Sequence, residues 1–381
     1  MVCTAGINHR LLIVTELAIV SRSLLIAMKE INLFYTFGIV PYCYDTEENT
    51  FLYDKRDRFY NFLFKIFLPS VALVALAVLW PEVLFLGNSI MAYVFAMQVI
   101  LNLSTLYINI LANYRNVRFY KRLQESCSIS DADTEENSSY WTFIMRISVP
   151  VVFYAYYEAC LVIYTKVYDI RPFKDLCFYL IYYYLELVLI LNMYYVELII
   201  KSLRQHLKQI YHMDQSIART TRQYFSYIRR KSALCHVLRF RMLCSAGNTY
   251  LAASAMLYTM MRRMEMEETF SSWIGFNEMV FNLGSCGSQL IGLAGLCFEV
   301  RRCSSEEQEL ARKLSDLREN FAQNNKESPS TTMTKISVLY RPPAISAYGL
   351  FEINLNFFYQ MIAAIFTQCV ILFQFQSFEQ Q

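Results

Sequence analysis

Seven long apolar runs constrain this chain more than any other feature. Phe59–Trp80, Val83–Leu111, Trp141–Tyr164, Leu176–Ile200, Phe240–Met261, Phe270–Phe298 and Leu355–Phe375 each hold 20 or more residues with few charges. A helix rises about 1.5 Å per residue, so about 20 residues cross about 30 Å of hydrocarbon. Backbone groups in lipid must bond within their own segment, which selects helix. The chain is 55% hydrophobic and 18% charged, less charge than a soluble chain carries. The pattern predicts an all-α, polytopic membrane protein with seven transmembrane helices. Spans two and six are long enough to tilt or to project into water. Pro69 and Pro150 predict kinks. No internal repeat is visible, which argues against a carrier built from duplicated halves.

Charge sets the expected orientation. Residues 1–58, 112–140, 201–241 and 299–341 hold 28 Lys or Arg; the segments on the opposite side of the spans hold 5. The positive-inside rule therefore places the N-terminus in the cytoplasm and, after seven crossings, the C-terminus outside. A G-protein-coupled receptor runs the other way, and no DRY or NPxxY pattern is present. Ahead of the first span, Leu11–Met28 is apolar but broken by Glu16 and Arg22, and reads as an amphipathic surface helix rather than a signal peptide. Ile31–Tyr44 is too short to span, and Pro41 ends it. Lys201–Arg241 reads as helix extending well below the membrane, its basic residues acting as topology determinants or contacts to anionic lipid headgroups. Glu306–Asn320 reads as an exposed helix with opposite charges at helical spacing. Asn137-Ser138-Ser139 matches a glycosylation acceptor but falls on the inner side.

Several chemistries are excluded. The 11 Cys have no paired spacing, and His9, His206, His212 and His236 sit at no metal-ligand spacing. No P-loop, GxGxxG or GxSxG occurs. The expectation is a non-enzyme with no catalytic residue, no metal and no cofactor. A net charge of +3 gives no reason to expect nucleic acid.

The last span is polar where a lipid-facing helix would not be. Gln360, Ala364, Thr367, Ile371 and Gln374 follow steps of 4, 3, 4 and 3, and so share one stripe within about 40° of a line. Phe366, Val370 and Phe373 face elsewhere, and Gln368 lies about 80° off. Such a stripe either bonds neighbouring helices or lines water.

Residues 367–375, TQCVILFQF, resemble the TYhhhhhQF signature (h, apolar) that closes insect gustatory receptors, members of the insect chemoreceptor superfamily. Thr367, Gln374 and Phe375 match; Gln368 replaces the signature Tyr. Ala347-Tyr348-Gly349-Leu350-Phe351 resembles the A-x-G-[LF]-F lead-in to the same helix, and Phe37–Tyr42 resembles the F-G-h-x-P-[FY] segment before the first span. The resemblance covers the chain by layout and about 30 residues by motif. It implies a plasma-membrane receptor of chemosensory neurons that is also an ion channel. Four subunits, identical or mixed with other gustatory receptors, would surround a cation pore, and membrane lipids would be the further partner. It further implies a cytoplasmic N-terminal segment (1–58), six spans with a ligand pocket in their outer halves (59–298), a cytoplasmic loop and anchor helix (299–354, the helix over about Tyr340–Asn354), and a pore-lining span with a short outer tail (355–381). Gln374 and Ile371 match its constriction, with Thr367 on the same face.

The outer halves of the spans are rich in aromatic and acidic residues. Tyr154, Tyr157 and Glu158 in span three, Tyr182, Tyr183 and Glu186 in span four, and Trp273, Asn277 and Glu278 in span six are candidates for a small-molecule pocket. Interfacial Tyr and Trp occur in every membrane protein, and an intramembrane carboxylate also serves as a bond between helices. The expected function is a ligand-gated, non-selective cation channel for non-volatile tastants, bitter compounds preferred because the pocket is aromatic rather than dense in carboxylates and amides. The alternatives are an obligate co-receptor subunit and, less favoured, a membrane carrier.

Overall fold

The computed structural model describes residues 43–45, 50–52, 99–108, 173–212, 217–265, 273–324 and 344–379, with isolated positions between 66 and 159. Two compact units divide the chain: Met1–Val78 with Leu106–Val149, and Leu79–Thr105 with Pro150–Gln381. In the first, β1 (Cys43–Asp45) pairs antiparallel with β2 (Thr50–Leu52), Cys43 opposite Leu52. There Ser70 Oγ bonds the Ile66 carbonyl at 2.8 Å and meets Tyr107 Oη at 2.7 Å.

The second unit is built on long helices: α1 (Phe173–His212), α2 (Ile217–Glu265), α3 (Trp273–Asn324) and α4 (Leu355–Glu379). Their packing follows from residue spacing. On α1 the buried residues Leu189, Met193, Val196, Ile200, Leu203, Leu207 and Ile210 recur at steps of four and three. On α2, Thr220, Tyr224, Tyr227, Lys231, Leu234, Leu238, Arg241, Ser245 and Asn248 do the same. On α3 the stripe is Gln289, Leu293, Leu296, Val300, Cys303, Glu307, Leu310 and Leu314. A 3.5-residue repeat keeps one seam of each helix on its neighbours over many turns. Small residues set the spacing: a Cβ at Gly292 would meet Met193 Cε at 3.2 Å, and one at Gly247 would meet Leu101 Cδ2 at 3.5 Å.

The expected spans 176–200, 240–261 and 270–298 fall almost wholly within α1, α2 and α3, only residues 270–272 lying outside the described residues, and each helix continues well past its expected span at one end. Spans one to three lie mostly outside the described residues, apart from the apolar helix Val99–Ile108. Among the described residues, Leu355–Phe375 is the one helix both long and apolar enough to cross a membrane on composition alone. The seams of the other helices carry buried polar groups, among them Glu186, Asn192 and Glu197 on α1 and Ser245, Asn248 and Thr249 on α2.

Three expectations need correction. Glu306–Asn320 is no free-standing exposed helix: it is the continuation of α3, and Glu307, Leu310, Ala311 and Leu314 are buried on one face. The basic residues of Lys201–Arg241 are not all lipid or topology contacts, because Arg204, Lys231 and Arg241 are buried within the bundle. Residues 344–354 are not helical. Here β3 (Ser346–Ala347) pairs with β4 (Phe351–Glu352), Ser346 opposite Glu352. Tyr348 (φ 56°) and Gly349 (φ 73°) both take left-handed backbone, which ends any helix and makes a tight turn closed by Leu350 N–H to Ala347 C=O at 3.0 Å. The all-α expectation holds for the bulk of the described chain and fails at these two small hairpins.

Candidate functional site

Helix α4 starts at a built cap. Asn354 Oδ1 accepts the Phe357 N–H at 2.8 Å, satisfying a first-turn donor, and Phe351 stacks on Phe357 with ring centroids 4.3 Å apart. The hairpin before it lies against α2: Ala347 is fully buried, and the Arg239 guanidinium sits 4.5 Å over the Tyr348 ring. Cap and hairpin together fix where α4 begins and which way its faces turn.

Two faces of α4 are distinct. Met361, Ile365 and Cys369 are buried, and the Cys369 thiol donates to the Ser254 carbonyl on α2 at 3.4 Å. Opposite them, Gln360, Ala364, Thr367, Ile371 and Gln374 are all exposed in the single chain. Thr367 Oγ1 donates to its own helix at the Ala363 carbonyl, 2.9 Å away, which lowers the cost of that hydroxyl in an apolar setting. Tyr359, Phe366, Val370 and Phe375 flank the stripe and are also exposed, whereas Gln368 is half-buried toward the bundle.

The proposed pocket residues are placed unequally. Tyr154, Tyr157 and Glu158 lie outside the described residues. Tyr182 and Tyr183 lie on α1, and Trp273, Asn277 and Glu278 lie in the first turns of α3, described as backbone only. Glu186 is fully buried, and its carboxylate accepts from Gln289 Nε2 on α3 at 3.0 Å. It is thereby a bond between α1 and α3.

Sequence reasoning missed a buried charge set among α1, α2 and α3. Lys231 Nζ lies 2.6 Å from Glu307 Oε2, while Tyr227 Oη donates to Glu307 Oε1 at 2.5 Å. Arg204 bonds Glu299 at 2.6 Å and reaches Glu306 at 3.3 Å. Arg241 Nη1 donates to Asn192 Oδ1 at 3.4 Å and lies 5.6 Å over the Tyr195 ring. Burial, with Cys303 and Glu307 alongside, pushes the Tyr227 hydroxyl well above its ordinary 10.0. Burial and Glu307 push the Cys303 thiol up to about 12, so it stays protonated and unreactive. The signal was present: Lys231 and Glu307 each stand at a core position of a four-three repeat, where a charge requires a partner.

The 7tm chemosensory receptor family model matches residues 31–379. The chain belongs to that family. This agrees with the resemblance to the insect chemoreceptor superfamily, and the family is one of receptors rather than enzymes. Among solved structures, the olfactory receptor OR5 from Machilis hrabei in complex with eugenol is 15% identical, with TM-score 0.60 over 91% of this chain and 97% of that one. The same receptor described without eugenol gives 14% identity and TM-score 0.56 over 97% and 99%. At such identity the likeness is one of fold. No curated protein matches significantly in sequence. This chemosensory receptor is therefore a helical, membrane-embedded protein whose fold is like that of an insect olfactory receptor.

Proposed function

We propose that this receptor is a gustatory, ligand-gated cation channel subunit, with seven spans, a cytoplasmic N-terminus and α4 as its pore wall. The observation that carries the reading is the two-faced α4. One face is buried against α2 and α3, and the other presents Gln360, Ala364, Thr367, Ile371 and Gln374, a row too polar for lipid. Four copies would bring those rows around one aqueous path. A ring of Ile371 side chains excludes water and closes it, and a ring of Gln374 amides ligates a partly dehydrated cation without holding it tightly. The signature match over residues 367–375 supports the gustatory branch, and the aromatic outer parts of α1 and α3 support a small, non-volatile and bitter ligand.

The ligand site is proposed among Tyr154, Tyr157, Glu158, Tyr182, Tyr183, Trp273, Asn277 and Glu278. Glu186 belongs to that set only if ligand binding breaks its bond to Gln289. Recording from cells that express this chain alone, during a panel of tastants, tests the whole. The expected result is a ligand-evoked cation current whose permeability ratios change in Gln374→Ala with surface expression retained. A current seen only with co-expressed relatives would make the chain an obligate heteromeric subunit, and no current in either setting would overturn the channel.

A further inference from the structure

Helix α2 carries an unbalanced charge. From Ile217 to Arg241 it holds seven Lys or Arg and no Asp or Glu; the first acid on the helix is Glu265. Three of the seven are engaged internally: Lys231 with Glu307, Arg241 with Asn192, and Arg239 over Tyr348. Arg229 and Arg230 are exposed, and among the described residues no carboxylate pairs with either. Like charges left this close repel one another unless an outside anion joins them.

The exposed face of this arm is shaped as well as charged. An open groove of about 670 Å³ is lined by Phe225, Ile228, Arg229, Ser232, Ala233 and His236. Arg229, Ser232 and His236 are spaced three and four residues apart, so their donors stand on successive turns of one face, with apolar groups between them. Among the described residues, no acidic residue lines the groove.

Depth selects the ligand. Counted from Phe240, where the membrane span is expected to start, His236, Ser232 and Arg229 lie about 6, 12 and 16 Å below the hydrocarbon. The headgroup layer is only about 5–7 Å thick on each side. His236 sits at that level, but Arg229 lies beneath the reach of phosphatidylserine. A headgroup that projects further and bears several phosphates spans the row. We infer that this groove binds the headgroup of a multiply phosphorylated inositol phospholipid of the inner leaflet, with Arg229 and His236 on its phosphates and Ser232 donating between them. Arg230, the next residue on the helix, adds positive charge nearby. The inference rests on the inside-positive orientation of the proposed function.

The test uses the purified full chain in nanodiscs of three compositions: phosphatidylcholine alone, with phosphatidylinositol 4,5-bisphosphate, or with phosphatidylserine at matched total charge. Nanodiscs expose both leaflets, so binding is read whichever way the chain inserts in cells. Orientation is read separately, from an N-terminal epitope that is hidden in intact cells if the charge reading holds. The bisphosphate lipid is expected to raise the melting temperature by at least about 3 °C, and phosphatidylserine by much less. Arg229→Gln with Arg230→Gln, and separately Ser232→Asp, are expected to abolish the shift while melting as the parent does in phosphatidylcholine. Arg312→Gln, an exposed cation on α3, is expected to keep it. No shift, an equal shift with phosphatidylserine, or a shift that survives the groove variants would overturn the site.

Discussion

At the scale of residues, the buried Lys231–Glu307 pair shows how a charge can specify packing without adding net stability. Its two ends are desolvated together, and their attraction roughly offsets that cost; removing one end leaves the other buried and uncompensated. Lys231→Met is therefore expected to destabilise the receptor by about 3–5 kcal/mol, and Lys231→Met with Glu307→Leu to recover most of that loss. Thermal unfolding of the single and double variants in detergent checks both. His206 gives a second residue-scale expectation. It stacks on Tyr227 with ring centroids 6.3 Å apart, and burial, then Arg230, lower its pKa from 6.5. The unfolded chain then takes up the proton more readily than the folded one. Its contribution to stability is full above about 6.5 and is lost as pH falls from there through the folded pKa. Melting temperature measured across that interval should fall more steeply in the parent than in His206→Gln, and equal slopes would remove His206 from the account.

At the scale of elements, the segment between α3 and α4 separates what spacing reveals from what it hides. The long helices were legible because apolar runs and a 3.6-residue period need no tertiary information to be read. The extensions of α2 and α3 beyond the expected spans read as helix, but their charges read as topology determinants, lipid contacts or an exposed face, since local pattern does not say which neighbour a helix meets. Counting Leu296, Val300, Cys303, Glu307, Leu310 and Leu314 as one seam would have placed Glu307 inside. The hairpin carries the A-x-G-[LF]-F pattern, and its apolar residues read as helix although its single glycine marks a turn. A Cβ at Gly349 meets nothing within 4 Å, so its penalty is purely one of backbone, at φ 73°. Gly349→Ala is expected to lower stability by about 1 kcal/mol and Gly349→Asn by less, because Asn tolerates left-handed backbone better. The ordering of the two melting temperatures is the check: an alanine variant as stable as the parent would mean that the turn does not hold the α4 start in place.

At the scale of the whole molecule, the family assignment and the exposed α4 stripe lead to the same test of assembly. A single chain leaves Tyr359, Phe366, Val370 and Phe375 exposed beside the polar row, so exposure alone does not tell lipid from subunit or from water. Periodicity does. Thr367, Ile371 and Gln374 lie within about 60° of one another, while Phe366 lies about 80° or more from each of them. In a tetramer around a shared pore, cysteines introduced at 367, 371 and 374 should react with water-soluble thiol reagents at rates that rise when ligand opens the channel. A cysteine at 366 should react slowly in both states, since lipid or a neighbouring subunit covers it. Cys369 is fully buried and supplies the unreactive baseline within the same helix. If position 366 labels and 371 and 374 do not, α4 turns its polar row into the protein. The amides would then serve as bonds between helices, and the path for ions must run elsewhere.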